Sequence, residues 1–334
     1  MIRIGVVGFG YWGPNLVRNF FNADESTVTV LCDSSEEQLE RARKLHPDLK
    51  TTTSYRELLE GNIDAVAVAT PVSSHFALAK AALEAGKHVF VEKPMASTVA
   101  ECEELIELAD KKSLVLHVDH TFVYTSAVQR IKSAVQSGEI GELLYYDSTR
   151  VNLGLFQHDV NVLWDLAVHD LSILGAITER KPVAVSATGV SHVEGQPENL
   201  AFLTVYYDRP LIAHINVNWL APVKIRQTLI GGTKKMIVFD DLKPSEPIKI
   251  YDKGVYVSES AQDIYRLKVG YRSGDMYSPK IELTEALLVE ANHFNECVIN
   301  SRKSLTSGEA GLTVVRILEA SEASLKLKGG LVEL

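Results

Sequence analysis

The first 33 residues carry the pattern that most limits how this chain can fold. The β-branched run "IRIGVVGFG" ends in glycines, a helix-like segment follows, and "TVTVLCD" has the composition of a second strand. The turn holds a full G-x-G-x-x-G motif, in which glycines permit a tight turn, close approach of a pyrophosphate and close helix–strand packing. The N-terminus of the following helix adds free N–H groups and the positive end of a dipole. This β-α-β unit predicts a dinucleotide-binding fold.

Asp33 ends the predicted second strand, where dinucleotide-binding folds place an acidic residue that accepts hydrogen bonds from the adenosine ribose. A carboxylate here repels a 2′-phosphate, so the sequence favours NAD over NADP as the cofactor. The alternative is that Asp33 only caps the next helix, because Ser34 and Ser35 follow it. The predicted cofactor-binding residues of this region are Gly8, Phe9, Gly10, Tyr11, Trp12, Gly13 and Asp33.

Strands and helices continue to alternate up to residue 120. The runs "IDAVAVAT", "KHVFVEKP" and "LVLHVDH" are strand-like and amphipathic helices separate them, which predicts an α/β Rossmann domain with a doubly wound parallel sheet over residues 1–120. Ligands of such sheets bind outside the carboxyl ends of the strands. The residues at or shortly after these ends that complete the predicted cofactor site are Thr70, Pro71, His75, Glu92 and Lys93.

From Thr121 onward the pattern changes. Strand-like runs follow one another between Pro182 and Asp241, which is typical of an antiparallel sheet. Helices are predicted over residues 161–177, 283–300 and 308–327. The sequence therefore predicts a second, α+β domain over residues 121–334.

Length and composition restrict the function classes. The 334 residues favour two domains, and 46% hydrophobic and 23% charged residues are ordinary for a globular protein. A net charge of −9 argues against general binding to nucleic acid or to anionic membranes. No apolar run reaches the ~20 residues of a membrane span and the N-terminus lacks a signal-peptide pattern, so a soluble, cytoplasmic protein is expected. The three cysteines are scattered and predict no disulfide framework.

The segment "LWDLAVHDLSIL" raises a chemical question, because this mostly apolar helix carries Asp165, His169 and Asp170. Asp165 and His169 are four residues apart and share a helix face. Three interpretations are open: buried groups bonded to the backbone, a metal site that includes His158 and Asp159, or a catalytic base. An NAD-linked oxidation needs an acceptor for the alcohol proton, and a histidine, with an ordinary pKa of about 6.5, suits that role at neutral pH.

Together these motifs resemble the Gfo/Idh/MocA family, the glucose–fructose oxidoreductase and inositol dehydrogenase family. The residues that carry the resemblance are Gly8 through Gly13, Asp33, Glu92-Lys93-Pro94 and Asp165 through Asp170. The resemblance implies that Lys93 lies beside the nicotinamide and the substrate hydroxyl, that Asp165 and His169 complete the catalytic site, and that no metal takes part.

The same resemblance implies how the second domain is built and used. Its open, mostly antiparallel sheet is expected to form homodimer or homotetramer contacts through the outer face, which "LIAHINVNWL" supplies with alternating apolar residues. The last helix is expected to pack back near the first domain.

Residues 147–174 are similar to a branch of the family that oxidises the C3 hydroxyl of UDP-N-acetylglucosamine or its uronate, although Val168 stands where that branch often has proline or glycine. A sugar or UDP-sugar substrate is therefore expected. The predicted substrate contacts are Lys93, Asp165 and His169, with Arg150 and Asn152 as further candidates that are equally well explained as a surface pair. The segment "YRSGDMYSP", residues 271–279, is either a substrate loop or a connection between strands.

Three alternative functions remain open at this stage. The first is a dehydrogenase of a free sugar or an inositol-like cyclitol. The second is an NAD-dependent glycosidase, which turns over without net production of NADH. The third belongs to another class, a non-catalytic NAD-binding regulator, which has no need of Lys93 and His169 together.

Overall fold

The computed structural model describes residues 1–154, 160–257 and 269–334. The chain forms two compact units: the first comprises Met1–Thr125 and Thr284–Glu319, and the second comprises Ser126–Leu283 and Ala320–Leu334. The predicted domain boundary lies between residues 120 and 121, whereas the structure divides the chain between 125 and 126 and also assigns residues 284–319 to the first unit. His158 and Asp159, the additional ligands of the metal interpretation, lie outside the described residues.

The first unit contains a six-stranded parallel sheet with the order β3-β2-β1-β4-β5-β6, which confirms the predicted doubly wound Rossmann fold. Its strands are β1 (Ile2–Val7), β2 (Ser26–Cys32), β3 (Lys50–Thr52), β4 (Ala65–Val68), β5 (His88–Glu92) and β6 (Leu116–Asp119). The strand order reverses between β1 and β4, and this switch point is where open α/β sheets bind their ligands.

Helices of the first unit pack on this sheet through apolar faces. Within the chain segment up to Thr125 they are α1 (Gly13–Asn22), α2 (Glu36–Leu45), α3 (Tyr55–Glu60), α4 (Val72–Glu84) and α5 (Val99–Lys112). Two later helices are α8 (Ala286–Asn300) and α9 (Gly308–Lys326), and α9 belongs to the first unit up to Glu319 and to the second unit from Ala320. Phe294 of α8 lies edge-on to Phe20 and Phe90, at centroid distances of 6.0 and 5.6 Å. This burial of a distant helix in the Rossmann core explains why residues 284–319 belong to the first unit.

The second unit contains a nine-stranded sheet with the order β14-β13-β12-β11-β7-β10-β9-β8-β15. Its strands are β7 (Leu143–Leu153), β8 (Pro182–Val190), β9 (Leu200–Tyr207), β10 (Ile212–Asn218), β11 (Leu220–Gly232), β12 (Met236–Asp240), β13 (Ile248–Val257), β14 (Val269–Tyr277) and β15 (Val332–Glu333). Among the described strands of this sheet, only β7 and β10 pair in parallel, so the predicted open, mostly antiparallel sheet is confirmed. Residues 269–277 form a strand paired with β13, and both loop interpretations of this segment are wrong.

Two helical segments accompany this sheet: α6 (Ser126–Gln136), and a π-helical turn (Leu163–Ala167) that continues into α7 (Val168–Ile177). In β10 the small and β-branched residues Ala213, Ile215 and Val217 are buried, whereas Ile212 and His214 face outward. The alternating apolar residues of this strand therefore belong to the core, which corrects the expectation that they line the outer face. No helix in the described part of the chain is long and apolar enough to cross a bilayer.

Candidate functional site

The Gly-rich turn has the geometry that its glycines predict. Gly8 has a φ of 95°, and a Cβ there would lie 2.4 Å from the carbonyl oxygen of Ala69, so only glycine fits. A Cβ on Gly13 would lie 2.2 Å from the Gly8 oxygen, because α1 approaches the turn closely. A Cβ on Gly10 would instead meet no atom of the described residues within 4 Å. The turn leaves its backbone open at the N-terminus of α1, where NAD-binding folds hold the pyrophosphate.

Asp33 follows β2 and connects the turn to the next helix. One carboxylate oxygen accepts the Phe9 N–H at 2.7 Å and the other accepts the Ser35 N–H at 2.8 Å. The N-cap residue of α2 is Ser35, so the interpretation of Asp33 as the cap itself is wrong. A carboxylate offers about four acceptor sites. The two bonds seen here therefore leave acceptor capacity for ribose hydroxyls.

The aromatic residues of the turn take three different positions. Phe9 is fully buried, so only its backbone is available to a cofactor. Tyr11 is 93% exposed and stacks on Trp12 with 6.4 Å between the ring centroids. Trp12 donates its Nε1–H to Asp119 at 3.1 Å and thereby ties the turn to the end of β6.

His75 connects the two loops that follow β4 and β5, next to the predicted cofactor site. Its ring is 1% exposed, and its nitrogens lie 2.8 Å from the carbonyl oxygens of Pro94 and Thr70. Burial lowers the pKa of His75, although both carbonyls act in the opposite direction. The ring thus braces the loop that follows β4, including Pro71, against the loop that follows β5. A direct bond from His75 to the cofactor would have to replace one of these two contacts.

Lys93 follows the last residue of β5 and lies near Glu92 and His120. Burial raises the pKa of Glu92 well above its usual range, and the adjacent Asp119 raises it further. His120, just beyond β6, is 2% exposed, and burial lowers its pKa to about 4. His120 is therefore uncharged at neutral pH and does not repel the Lys93 ammonium, and the raised pKa of Glu92 disfavours a carboxylate beside it.

In the second unit, Asp165 lies on the π-helical turn and His169 lies on the first turn of α7. They are the two positions between Asn161 and Leu174 that are not buried. The segment thus buries its apolar residues and leaves Asp165 and His169 partly exposed.

Asp165 is held by a residue that the sequence analysis did not single out. The Nε1–H of Trp219 donates to Oδ2 of Asp165 at 3.0 Å, and Trp219 is 1% exposed. A buried indole orients the carboxylate and stabilises its charged form. The two residues are 54 positions apart, and no local pattern connects them.

Asp170 differs from its two neighbours because it is buried in an ion pair. Arg150 donates to Asp170 through Nε at 2.8 Å and through Nη2 at 3.3 Å, and Ser148 adds an O–H bond at 2.7 Å. Arg150 is 3% exposed, so the interpretation of Arg150 and Asn152 as a surface pair is wrong. Asp170 is the internal hydrogen-bond partner of Arg150, and Asn152 is partly exposed near the end of β7. The role of Arg150 as a substrate contact stays a prediction.

The two units together define a class: an oxidoreductase with an NAD-binding Rossmann domain and a second domain that carries a partly exposed Asp–His pair. A family model described as "Oxidoreductase family, NAD-binding Rossmann fold" matches residues 2–120, and the GFO/IDH/MocA C-terminal domain matches residues 128–238. The chain belongs to the Gfo/Idh/MocA family, as its motifs predict.

Known proteins of two substrate types are similar to this chain. UDP-N-acetylglucosamine 3-dehydrogenase of Acidithiobacillus ferrooxidans is 32% identical over 196 residues, which cover 58% of this chain and 59% of that protein. Its solved structure, named GnnA, has a TM-score of 0.83 and 23% identity over 98% of both chains. Levoglucosan dehydrogenase in complex with NADH and levoglucosan has a TM-score of 0.82 and 21% identity over 99% of this chain and 98% of that one. The sequence match spans less than two thirds of its relative, and the structural matches show the fold.

Proposed function

We propose that this protein is an NAD-dependent dehydrogenase that oxidises a secondary hydroxyl of a sugar. The observation that carries the proposal is the accessibility of Asp165 and His169 in an otherwise buried helical segment of an NAD-binding oxidoreductase. A regulator that only binds NAD has no need to leave these two titratable groups open to a ligand.

The residues of the first unit fit the cofactor and give each part of it a partner. The open backbone at Gly10 and the N-terminus of α1 hold the pyrophosphate, and Asp33 accepts the ribose hydroxyls. Thr70 and Pro71, which follow β4 at the switch point, line the path toward the nicotinamide. When bound, NAD supplies the acceptor for the hydride that leaves the sugar carbon.

Lys93 and His169 then act on the hydroxyl oxygen from which the proton leaves. The ammonium of Lys93 donates to this oxygen and stabilises the negative charge that develops on it. His169 accepts the proton, and Asp165, oriented by Trp219, stabilises the imidazolium that forms. His120, uncharged at neutral pH, does not repel the Lys93 ammonium, and the raised pKa of Glu92 disfavours a carboxylate that would offset its charge.

We further propose a UDP-N-acetyl amino sugar or its uronate as the substrate, with oxidation at C3. The support is the 32% identity to a UDP-N-acetylglucosamine 3-dehydrogenase and the similarity of residues 147–174 to that branch. A thermal-shift screen of UDP-sugars and free sugars in the presence of NAD tests the proposal. At a hundredfold excess over Kd, a true ligand stabilises the native state by about 2.7 kcal/mol.

Measurement of NADH absorbance with the stabilising sugar completes this test. Net NADH supports the dehydrogenase. Stabilisation by free sugars but not by UDP-sugars would replace the nucleotide-sugar substrate with a free sugar or cyclitol. Turnover without net NADH would show the glycosidase, and binding without any turnover would show the regulator.

The cofactor preference depends on the charge of Asp33. We expect wild-type protein to bind NAD more tightly than NADP, and Asp33→Ser to narrow that difference because it removes the repulsion of the 2′-phosphate. Loss of the charge-assisted bonds should weaken NAD binding about tenfold or more. Asp33→Asn is the matched control, since it keeps one acceptor for the Phe9 or Ser35 N–H but loses the charge. Fluorescence titration of both cofactors with the three proteins measures six affinities; equal affinity of the wild type for NADP would contradict this role.

We also propose a dimer or tetramer that is built through the outer face of the nine-stranded sheet. Large apolar side chains on β9 and β10 remain exposed on this face: Phe202 by 41%, Tyr206 by 38% and Ile212 by 45%. We expect light scattering at micromolar concentration to give a multiple of the monomer mass, and Phe202→Asp to reduce it. Leu45→Asp, which changes an apolar residue at the end of α2 that is 57% exposed, is the control. A monomeric wild type would refute the proposal.

A further inference from the structure

Three carboxyl groups meet inside the first unit, next to Lys93. Asp119 ends β6 and is 1% exposed, and Glu290 of α8 is fully buried. Glu92, at the end of β5, is partly exposed as a residue, but its Oε1 is buried. Glu92 and Asp119 are paired across β5 and β6, and Nε2 of His117, two residues before Asp119, lies 3.0 Å from Oε1 of Glu290. Asp119 raises the pKa of both glutamates. We call these three residues the carboxyl cluster.

The donors around the carboxyl cluster are unevenly distributed. Asp119 accepts the Trp12 Nε1–H at 3.1 Å, the Thr121 N–H at 3.2 Å and the Thr121 hydroxyl at 2.5 Å. By contrast, Oε1 of Glu92 and Oε2 of Glu290 are buried and meet no hydrogen-bond donor among the described residues. Such oxygens are stable in a protein interior if they carry a proton and act as donors themselves. Asp119 thus accepts three bonds, whereas one buried oxygen of each glutamate meets no donor among the described residues, and this difference favours the negative charge on Asp119.

The histidines around the cluster support this distribution of charge. His117 is fully buried, with Nε2 3.0 Å from Oε1 of Glu290 and Nδ1 2.8 Å from the Ser304 hydroxyl. Burial lowers the pKa of His117 well below its usual range and that of His120 to about 4. A neutral His117 can donate Nε2–H to Glu290 and accept the Ser304 O–H. Among the described residues, Lys93 is then the one cation that acts on Glu92, and neither His117 nor His120 carries a charge that balances a second or third carboxylate.

We propose that Glu92, Asp119 and Glu290 hold two protons and one negative charge in common, and that this buried anion positions Trp12 and the Gly-rich turn for the cofactor. The O–H groups of Glu92 and Glu290 donate to the Asp119 carboxylate, which in turn accepts the indole N–H of Trp12. Asp119 is thus a positioning residue that acts through Trp12. The cluster also keeps Glu92 neutral beside Lys93, and this second consequence rests on the proposed function of Lys93.

Infrared spectroscopy tests the proton count directly, because the C=O band of a neutral carboxyl group is separate from the bands of a carboxylate. We expect the wild type at pH 7 to show neutral-carboxyl absorption that shifts on exchange into D2O. Glu92→Gln and Glu290→Gln should each remove part of it, whereas Glu107→Gln, at an exposed position of α5, should leave it unchanged. Absence of this absorption in the wild type, or its persistence in both glutamine variants, would overturn the proposal. No substrate is needed, so this test does not depend on the dehydrogenase function.

The pH dependence of stability gives a second readout that simple packing would not change. The pKa values of Glu92 and Glu290 are raised in the folded protein. At pH values above the usual glutamate pKa, the folded protein therefore binds more protons than the unfolded chain does. The free energy of unfolding then falls as the pH rises through the pKa values that the two glutamates have in the folded protein. Between about pH 7.5 and 8.5, at least one unit above the usual histidine pKa of about 6.5, His117 and His120 are largely neutral in both states and contribute little. In this pH window the free energy of unfolding should decline less steeply with pH in each glutamine variant than in the wild type, by the equivalent of up to one bound proton. An unchanged slope in both variants would contradict the proton count.

Cofactor titration tests the positioning role. Asp119→Asn keeps the size of the side chain but removes the charge that holds Trp12, so we expect NAD affinity to fall about tenfold. Trp12→Phe should cause a similar loss, and the double variant should lose little more than either single variant because both remove the same bond. Additive losses, or wild-type affinity in Asp119→Asn, would refute this role. Circular dichroism of each variant shows that the fold is retained.

Discussion

His169→Ala should lower kcat by roughly 10²–10⁴-fold, the usual contribution of a positioned acid–base group. The side chain is only partly buried, so its removal leaves no large cavity and the melting temperature should change little. NAD affinity should also be nearly unchanged, because the dinucleotide site is built from the first unit. Steady-state formation of NADH, together with a thermal melt of the same preparation, measures both properties.

The competing structural interpretation of His169 predicts the opposite pattern, with a lower melting temperature and normal turnover by the folded fraction. His192→Ala is the control, since His192 is an exposed histidine of the same unit. A well-folded His169→Ala protein that reduces NAD at the wild-type rate would show that His169 is not the base.

Lys93→Ala provides an internal comparison. Lys93 is proposed to contact the reacting oxygen in both the ground state and the transition state, so its loss should lower kcat and also raise KM. His169 mainly affects the proton transfer, so its variant should show a loss in kcat with a smaller change in KM. If both variants changed KM alone, both residues would be binding contacts and the proposed chemistry would be wrong.

Asp170→Ala should be the most destabilising of the substitutions considered for this protein. It leaves the guanidinium of Arg150 buried beside Asp241, without the two-point contact that now holds it. Breaking a buried ion pair by removal of one partner typically costs about 3–5 kcal/mol. Burial raises the pKa of Asp241, so this neighbour is a poor replacement for the lost carboxylate.

Urea unfolding curves measure this loss as a lower midpoint at an unchanged slope. Asp147→Asn is the matched control, because its pairing with His214 lies on the exposed face, where the change should stay within about 0.5 kcal/mol. A loss below about 1 kcal/mol for Asp170→Ala would mean that the Arg150 pair contributes little to folding. A normal stability combined with lost turnover would instead place Asp170 in the catalytic machinery.

Local patterns in the sequence were sufficient for the Rossmann half of the protein. The glycines of the turn, the placement of Asp33 and the alternation of strands and helices all depend on residues within a few positions of one another. Backbone sterics determine such features: the positive φ of Gly8 and the close approach at Gly13 demand glycine in any fold that contains this turn.

The sequence also identified Asp165 and His169, because titratable groups in an apolar helix are conspicuous. It could not distinguish them from Asp170, which directly follows His169 but is buried in an ion pair. Burial of Asp170 against Arg150, and exposure of the other two residues, depend on how β7 packs against the helical segment. Residues 269–277 were misinterpreted for a related reason: a strand at the sheet edge needs little hydrophobic alternation, and its pairing with β13 defines it.

Only the tertiary structure revealed the partners of the candidate site. Trp219 and Asp165 are 54 residues apart, Trp12 and Asp119 are 107 apart, and His117 and Glu290 are 173 apart. A polar side chain shows by its type that it needs a partner, but not which one, because any donor or acceptor that folding brings within about 3 Å will serve. The sequence by itself thus determined the cofactor fold and the residues that could do chemistry, whereas long-range packing decided which of them are buried, paired or open to a substrate.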